Sequence, residues 1–504
     1  PPPPPPPHFQ AEDGIRDVAG CLVGSEMCIR DRLRPEFVTP ELMPRLSAFA
    51  QTGVRYANSR STFLTETRVN QSAVTSGVMA NKHGLVANIF VAPDVSPETA
   101  LNTGKDEELE AAFARVGGRL FGVPTLGQLL KAAGRSYATM SAGTSGGGRL
   151  INHSAEADGT FRFAMRRPEA GHPAGIADTI TARLGPLPDY HLPAIDWIRY
   201  AADIYLRVME DDVRADVTLV WFCEPDESFH HLGIGSLGAL ETIRHVDQQF
   251  GRILDHHAEA IRTGDLQVIA MSDHGQITLR GEALDITGEL RAAGFRAGKR
   301  FDDETDLIFA GSNAGGIWVK DNDPALTERV TAWLLGQDWC GPIFTRHGTL
   351  GTLRLADVFQ DHARAPEIAL VMRNDHAVNA HGLAGETVHA SAYPVGGGSH
   401  GGLNAHELHN VLTLGGTAFR SGITIDAHAG NVDITPTILA LLGIERPAHL
   451  DGRALTEAFS GGPEPTGLAS ETVTISSSNT AGPRTHLTLT RVAGTTYLDQ
   501  AWIE

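Results

Sequence analysis

Cysteine is scarce: Cys21, Cys28, Cys223 and Cys340 are scattered through 504 residues without a CxxC pair, which excludes a disulfide framework. Long apolar runs are missing too. None approaches the ~18 uncharged residues of a membrane-spanning helix, so the sequence predicts no membrane span. Basic residues are outnumbered, 41 against 60 acidic, for a formal charge of −19. That deficit argues against a nucleic-acid groove or an anionic-membrane patch, both of which need clustered positive charge. Aromatic residues make up 6% of the chain, and no internal repeat is present. What the chain does have is 55 glycines and 22 histidines. It reads as a loop-rich globular α/β protein in which metal chemistry is open. Its length suits one large domain with insertions, or two domains.

Pro1–Pro7 is a homopolymer, and the text from His8 to Arg32 shows no helical or strand period and no signal-peptide pattern. Residues 1–32 resemble a translated adapter joined to a truncated reading frame, and are expected to be a non-native or disordered leader. Ordinary globular sequence starts near Leu33. MPRLSAFAQTG reads as a helix opened by Pro44 and closed by Gly53, and VPTLGQLLKAAG repeats the pattern with Pro124 and Gly134. SYATMSAG follows as a strand, then a Gly/Ser-rich polar loop from Thr144 to about Pro173.

Two segments carry more weight. Val217–Phe222 and Leu266–Met271 are continuous apolar strands, each ending abruptly in acid-rich text, EPD and SDHG. Between them Leu240, Ile243, Val246, Phe250 and Ile253 have helical spacing. Strand–helix–strand with unalternating strands implies a parallel sheet covered on both faces. Ligands bind such sheets beyond the carboxyl ends of the strands, where both acid/His clusters fall. Residues 276–398, with candidate strands GGIWVK and EIALVMRN, are expected to form an inserted region. TPTILALLG returns to the helix layer, ending a catalytic domain drawn at 33–460. Residues 461–504 read as a linker and a C-terminal β-hairpin.

Asp226 and His230 stand four apart after the first strand and share a face if the segment turns into helix. A surface acid on that helix is the plainer reading. Asp273 and His274 follow the second strand, where Asp273 could equally cap a helix. His400 lies between glycines that let the backbone approach a ligand closely. His406 and His409 compete with it but fit a solvated helix face. Imidazole plus carboxylate without cysteine suits catalytic zinc. Two such clusters at neighbouring strand ends suit a pair of ions roughly 4 Å apart, the arrangement used in displacement at phosphorus. The nucleophile is sought in STFLTETRVNQSAVTSG, with Thr67 ahead of Ser59, Ser61, Thr62, Thr65 and Ser72; residue chemistry alone leaves the choice open.

The ordered set TETRVN (Thr65–Asn70), NKHGLVAN (His83, Gly84, Asn88), EPD-xxx-H (Asp226, His230), SDHG (Asp273, His274), SHGG (His400) and PTILALLG…DGR (Pro436–Arg453) resembles the alkaline phosphatase superfamily, in its type I phosphodiesterase/nucleotide pyrophosphatase branch. The resemblance spans about Leu33 to Arg453. It implies a three-layer α/β/α sandwich and two Zn2+ ions. One ion would be held by Asp226, His230 and His400, the other by Asp273, His274, an N-terminal aspartate and Thr67. Thr67 would attack phosphorus and become phosphorylated, and Asn70 with a backbone N–H would steady a non-bridging oxygen. The branch has Asp-Gly-Leu-Arg-Pro at its N-terminal ligand; here the text is Asp31-Arg32-Leu33-Arg34-Pro35, so Asp31 takes the slot with Arg32 in place of glycine. The expected activity is hydrolysis of a small-molecule phosphate diester. The alternatives are a phosphomonoesterase, a phosphonate hydrolase, or a catalytically impaired metal- or nucleotide-binding protein. A sulfatase needs a C/S-x-P-x-R segment, which the chain lacks.

Overall fold

The apolar runs Val217–Phe222 and Leu266–Ser272 become inner strands of an eight-stranded sheet. In the computed structural model, which describes residues 24–30 and 33–504, that sheet contains β1 (Gly24–Arg30), β2 (Val54–Tyr56), β3 (Tyr137–Ser141), β4 (Phe161–Ala164), β5 (Val217–Phe222), β6 (Leu266–Ser272), β7 (Leu412–Gly415) and β8 (Ile423–Ile425). Their order is β8-β2-β7-β6-β1-β5-β3-β4. β6, β1, β5, β3 and β4 run parallel, while β7 is antiparallel to both β6 and β2.

Alternate residues of each inner strand face opposite helix layers. Val217, Leu219 and Trp221 of β5, with Ile269 and Met271 of β6, pack against α2 (Thr67–Ser76) and α5 (Ile434–Leu441) through Val74, Ile434 and Ile438. Val220 and Phe222, with Val268 and Ala270, face α1 (Pro44–Thr52) and α4 (Leu237–His256), which follows α3 (Asp226–Leu232). α4 starts where the Ser236 hydroxyl accepts the Ala239 N–H. Its stripe of Ile243, Val246, Phe250 and Ile253 is fully buried, each side chain contributing about 1.5–3 kcal/mol. An aspartate at Val246 would break that seam. The result is a three-layer α/β/α sandwich.

Two features depart from the sequence reading. β1 lies within residues 1–32, where no strand period is visible, yet it pairs along its length with β5 and β6. A strand between two parallel neighbours need not alternate, so periodicity does not mark it. The stretch after Thr144, read as a loop, holds the helix Ser145–Leu150 and β4. Its glycines permit close packing: a Cβ on Gly146 would stand 2.1 Å from the Thr103 carbonyl oxygen.

The region 276–398 carries its own core. Leu307–Gly311, Ala314–Val319, Ile368–Met372 and Cys340–Thr345 form the antiparallel centre of a six-stranded sheet backed by the helix Pro324–Leu334. The strand Gly398–Ser399 then leads into His400. The C-terminal hairpin, Thr485–Val492 with Thr495–Ile503, gains a third strand, Ser470–Ser476. Its Leu487, Leu489 and Leu498 share a core with Phe63, Leu64, Leu403 and Leu408, beside the loops that precede Thr67 and follow His400. Cys223 and Cys340 are buried. Among the described residues no helix is long and apolar enough to cross a membrane.

Candidate metal centre and phosphoryl-transfer site

β5 ends at Phe222, and α3 begins four residues later with Asp226. One helical turn brings His230 Nε2 to 3.1 Å from Asp226 Oδ1. His400 arrives from the glycine-rich loop, and the donor atoms of Asp226, His230 and His400 all lie within 4.8 Å of one another. Asp273 and His274 follow β6 directly, with His274 Nε2 3.3 Å from Asp273 Oδ2. The His400 ring stands between the two groups, 4.5 Å from His274 and 5.3 Å from His230 by ring centres. All five residues are buried. Asp31 lies outside the described residues.

The three imidazoles share one orientation. Each Nδ1 faces a backbone carbonyl, which can only accept: His230 to Gly398 at 2.6 Å, His400 to Thr65 at 2.7 Å and His274 to Gly275 at 2.9 Å. The proton is thereby fixed on Nδ1, and Nε2 keeps its lone pair as a ligand. Glycine is required in this framework. Gly401 turns at φ +124°, and a Cβ on Gly275 would stand 2.1 Å from the His406 carbonyl oxygen. Glu407 braces the turn, accepting from the N–H groups of Gly402 (2.8 Å) and Asn404 (3.1 Å) and from Asn313 (2.6 Å). Burial pushes its carboxyl up to about 7.

Thr67 opens α2 and is buried. The segment before it is tied to the His400 loop: besides the His400 bond, Thr65 Oγ1 accepts the Gly401 N–H at 2.9 Å and donates to the Gly402 carbonyl at 2.9 Å. Several rival hydroxyls are committed elsewhere. Ser61 donates to Leu408, Thr62 to Asn70 and Ser72 to Arg68. A cavity of about 250 Å³ opens here, lined by the neighbours of Thr67, Glu66 and Arg68, together with Asn88, Thr144, Asp226, Glu227, His230, Tyr393 and His400. Tyr393 stacks on the His230 ring at 3.7 Å.

The expectation for Asn70 needs correction. Its side chain is fully buried and occupied: Oδ1 accepts from Thr62 N (2.8 Å), Thr62 Oγ1 (3.0 Å) and Asn431 (2.8 Å), while Nδ2 donates to the carbonyls of Leu64 and Glu66 (both 3.1 Å). Asn70 therefore shapes the loop rather than facing a substrate. The asparagine on the cavity is Asn88, from NKHGLVAN. Its Oδ1 accepts the Arg68 N–H at 3.1 Å, and its own backbone N–H donates to Glu66. Spacing gave no sign of this, because Asn88 is twenty-one residues from Thr67. Arg68 also went unread; it is the one Arg or Lys among the described residues lining the cavity. The competing histidines are spent elsewhere: His406 on Arg34 (3.0 Å) and His409 on the Ala57 carbonyl (2.8 Å). His83 is fully buried, accepts the Leu85 N–H at 3.1 Å, and is pushed down to about 3 by burial.

Imidazole Nε2 atoms and buried carboxylates, with no thiolate, are a donor set that fits zinc. No curated protein is significantly similar in sequence. The fold is similar to that of murine ectonucleotide pyrophosphatase/phosphodiesterase 5, at 15% identity over 84% of this chain and 96% of that one, with a TM-score of 0.57. An inactive variant of the murine protein in complex with AMP matches at 16% identity, 85% and 96% coverage and a TM-score of 0.57. The human counterpart matches at 16%, 84%, 96% and 0.55. The family model "type I phosphodiesterase / nucleotide pyrophosphatase" matches residues 29–329, more than half of the chain. The chain belongs to the type I phosphodiesterase/nucleotide pyrophosphatase family of the alkaline phosphatase superfamily, and is a phosphoric ester hydrolase.

Proposed function

We propose that this chain hydrolyses small-molecule phosphate diesters of the nucleotide type through a phosphothreonine formed on Thr67. The observation that carries the reading is the convergence of Asp226, His230 and His400, with Asp273 and His274 adjoining, around Nε2 atoms that share one tautomer. Asp226, His230 and His400 would hold one zinc ion, and Asp273, His274, Asp31 and Thr67 the other. Two bound cations supply Lewis acidity and lower the pKa of a coordinated hydroxyl or water.

The remaining roles belong to the chain. Thr67 Oγ forms a bond to phosphorus as the bond to the leaving alcohol breaks, and the threonine proton is balanced by protonation of the leaving group. Water then cleaves the phosphothreonine and restores Thr67, so that two in-line displacements retain configuration. The Asn88 NH2 is the donor suited to a non-bridging oxygen whose charge grows in the transition state. The test is the rate on bis(p-nitrophenyl) phosphate against p-nitrophenyl phosphate, with and without chelator. Faster diester turnover that chelator abolishes supports the proposal; zinc or AMP binding without turnover supports an impaired binding protein instead. Arg68 favours a second reading, a phosphomonoesterase or phosphonate hydrolase, because a cation on the cavity wall can meet a second anionic charge. Faster turnover of the monoester would select it.

A further inference from the structure

Far from the cavity, two histidines and a carboxylate meet at the other end of α4. His256 is the last residue of α4, His257 caps it, and Glu210 follows a π-helical turn, Tyr205–Met209. Among the described residues only two places gather three metal-competent donors: the Asp226/His230/His400 centre and this group, whose donor atoms also lie within 4.8 Å of one another. The 20 residues of α4 span about 30 Å, so the two groups are well separated.

The spacing is informative. His257 Nε2 is 3.6 Å from Glu210 Oε2, too long for a hydrogen bond. It is close to the ~3.4 Å edge of a tetrahedron whose metal–ligand bonds are about 2.0–2.1 Å. Glu210 and His257 are half-buried and buried, which fixes two donors, while the exposed His256 can swing to close the set. The buried Tyr205 hydroxyl hydrogen-bonds His257 Nε2 at 2.6 Å, shorter than that tetrahedral edge, so a cation bound at Nε2 displaces this contact and does not take Tyr205 as a ligand. π-helical turns gather at functional sites, and this one delivers Glu210 against α4.

We infer that Glu210, His256 and His257 form a second metal-binding site, for one zinc-class divalent cation that ties the end of α4 to the π-helical turn. Two imidazoles and a carboxylate suit zinc, cobalt or nickel and give magnesium no preference. The site is structural and stands apart from the proposed hydrolysis.

The test is zinc titration of the metal-stripped full chain, reading bound equivalents and the melting temperature. His256→Ala alters an exposed side chain and keeps the fold; Glu210→Gln is the second variant. Each is made in the wild-type chain and in an Asp226→Ala, His400→Ala background. The expected result is one tight equivalent that survives in that background, disappears with His256→Ala or Glu210→Gln, and takes with it the rise in melting temperature on adding zinc. An equivalent count unchanged by both variants, or no zinc bound in the background, overturns the inference.

Discussion

Replacing Asn70 and Asn88 separately with alanine should divide stability from catalysis. Asn70→Ala removes five buried hydrogen bonds of 2.8–3.1 Å. It strands the Thr62 N–H and one N–H of the Asn431 amide in a site closed to solvent, while the Leu64 and Glu66 carbonyls keep their backbone donors, the N–H groups of Glu66 and Asn70. An orphaned buried polar group costs about 1–3 kcal/mol. With two donors orphaned, the Thr62 hydroxyl free to rotate and some relaxation, the total is about 2–4 kcal/mol, well above the cost of a typical single substitution. Asn88 is half-buried, and its side chain makes one such bond, to the Arg68 N–H. Asn88→Ala should therefore cost about 1 kcal/mol of stability or less. Its catalytic cost is larger: loss of one transition-state donor lowers the rate about 10²–10³-fold. Denaturant unfolding, together with kcat/KM on bis(p-nitrophenyl) phosphate, reads both effects. An Asn70→Ala protein as stable as the parent but inactive, or an Asn88→Ala protein within threefold of parental kcat/KM, would refute the division of roles.

Thr67→Ala should abolish turnover and leave zinc content nearly intact by elemental analysis, because the carboxylate and imidazole donors remain; parental rates would exclude Thr67 as nucleophile. Arg68→Met should lower kcat/KM for p-nitrophenyl phosphate about 10–100-fold relative to the diester, the worth of one charge-assisted hydrogen bond, if the cation meets a second anionic charge; an unchanged ratio removes Arg68 from recognition. Glu407→Ala should weaken zinc binding about 10–100-fold through the His400 turn, with Glu407→Gln milder, and equal affinities in a titration would contradict the bracing role. His83 is held neutral down to about pH 3, whereas the unfolded chain protonates it near 6.5, so its contribution is intact above that value and lost as pH falls. From pH 7 to 5 the loss is about 2 kcal/mol; His83→Asn should flatten the pH–stability curve by that amount, and an unaltered slope would show that His83 is not the group responsible.

The sheet was legible where strands are long, apolar and bounded by charge, as in β5 and β6, and the helices where Pro and Gly mark their ends. β1 was not, because its text GSEMCIR interrupts with Ser25, Glu26 and Arg30 the apolar run that marks an inner parallel strand. The metal-competent residues were legible because Asp226 and His230 are local in sequence and His400 is framed by glycines. Asn88 and Arg68 were not. Their place on the cavity depends on how the 85–104 segment folds against the start of α2, a long-range contact with no periodicity to announce it. Asn70 was misread because a position near the nucleophile says nothing about which way an amide points.

The alignment of His230, His274 and His400 is written into the path of the main chain, since the Nδ1 of each ring answers to a backbone carbonyl. Deleting a side chain leaves those three carbonyls in place. Adding a methyl group can move one: Gly275→Ala would press against the His406 carbonyl, displace the Gly275 carbonyl and swing the His274 imidazole off its bearing. The site's most fragile positions are therefore residues that touch neither ion nor substrate, and their loss would register as weakened zinc affinity in a protein with every donor still present.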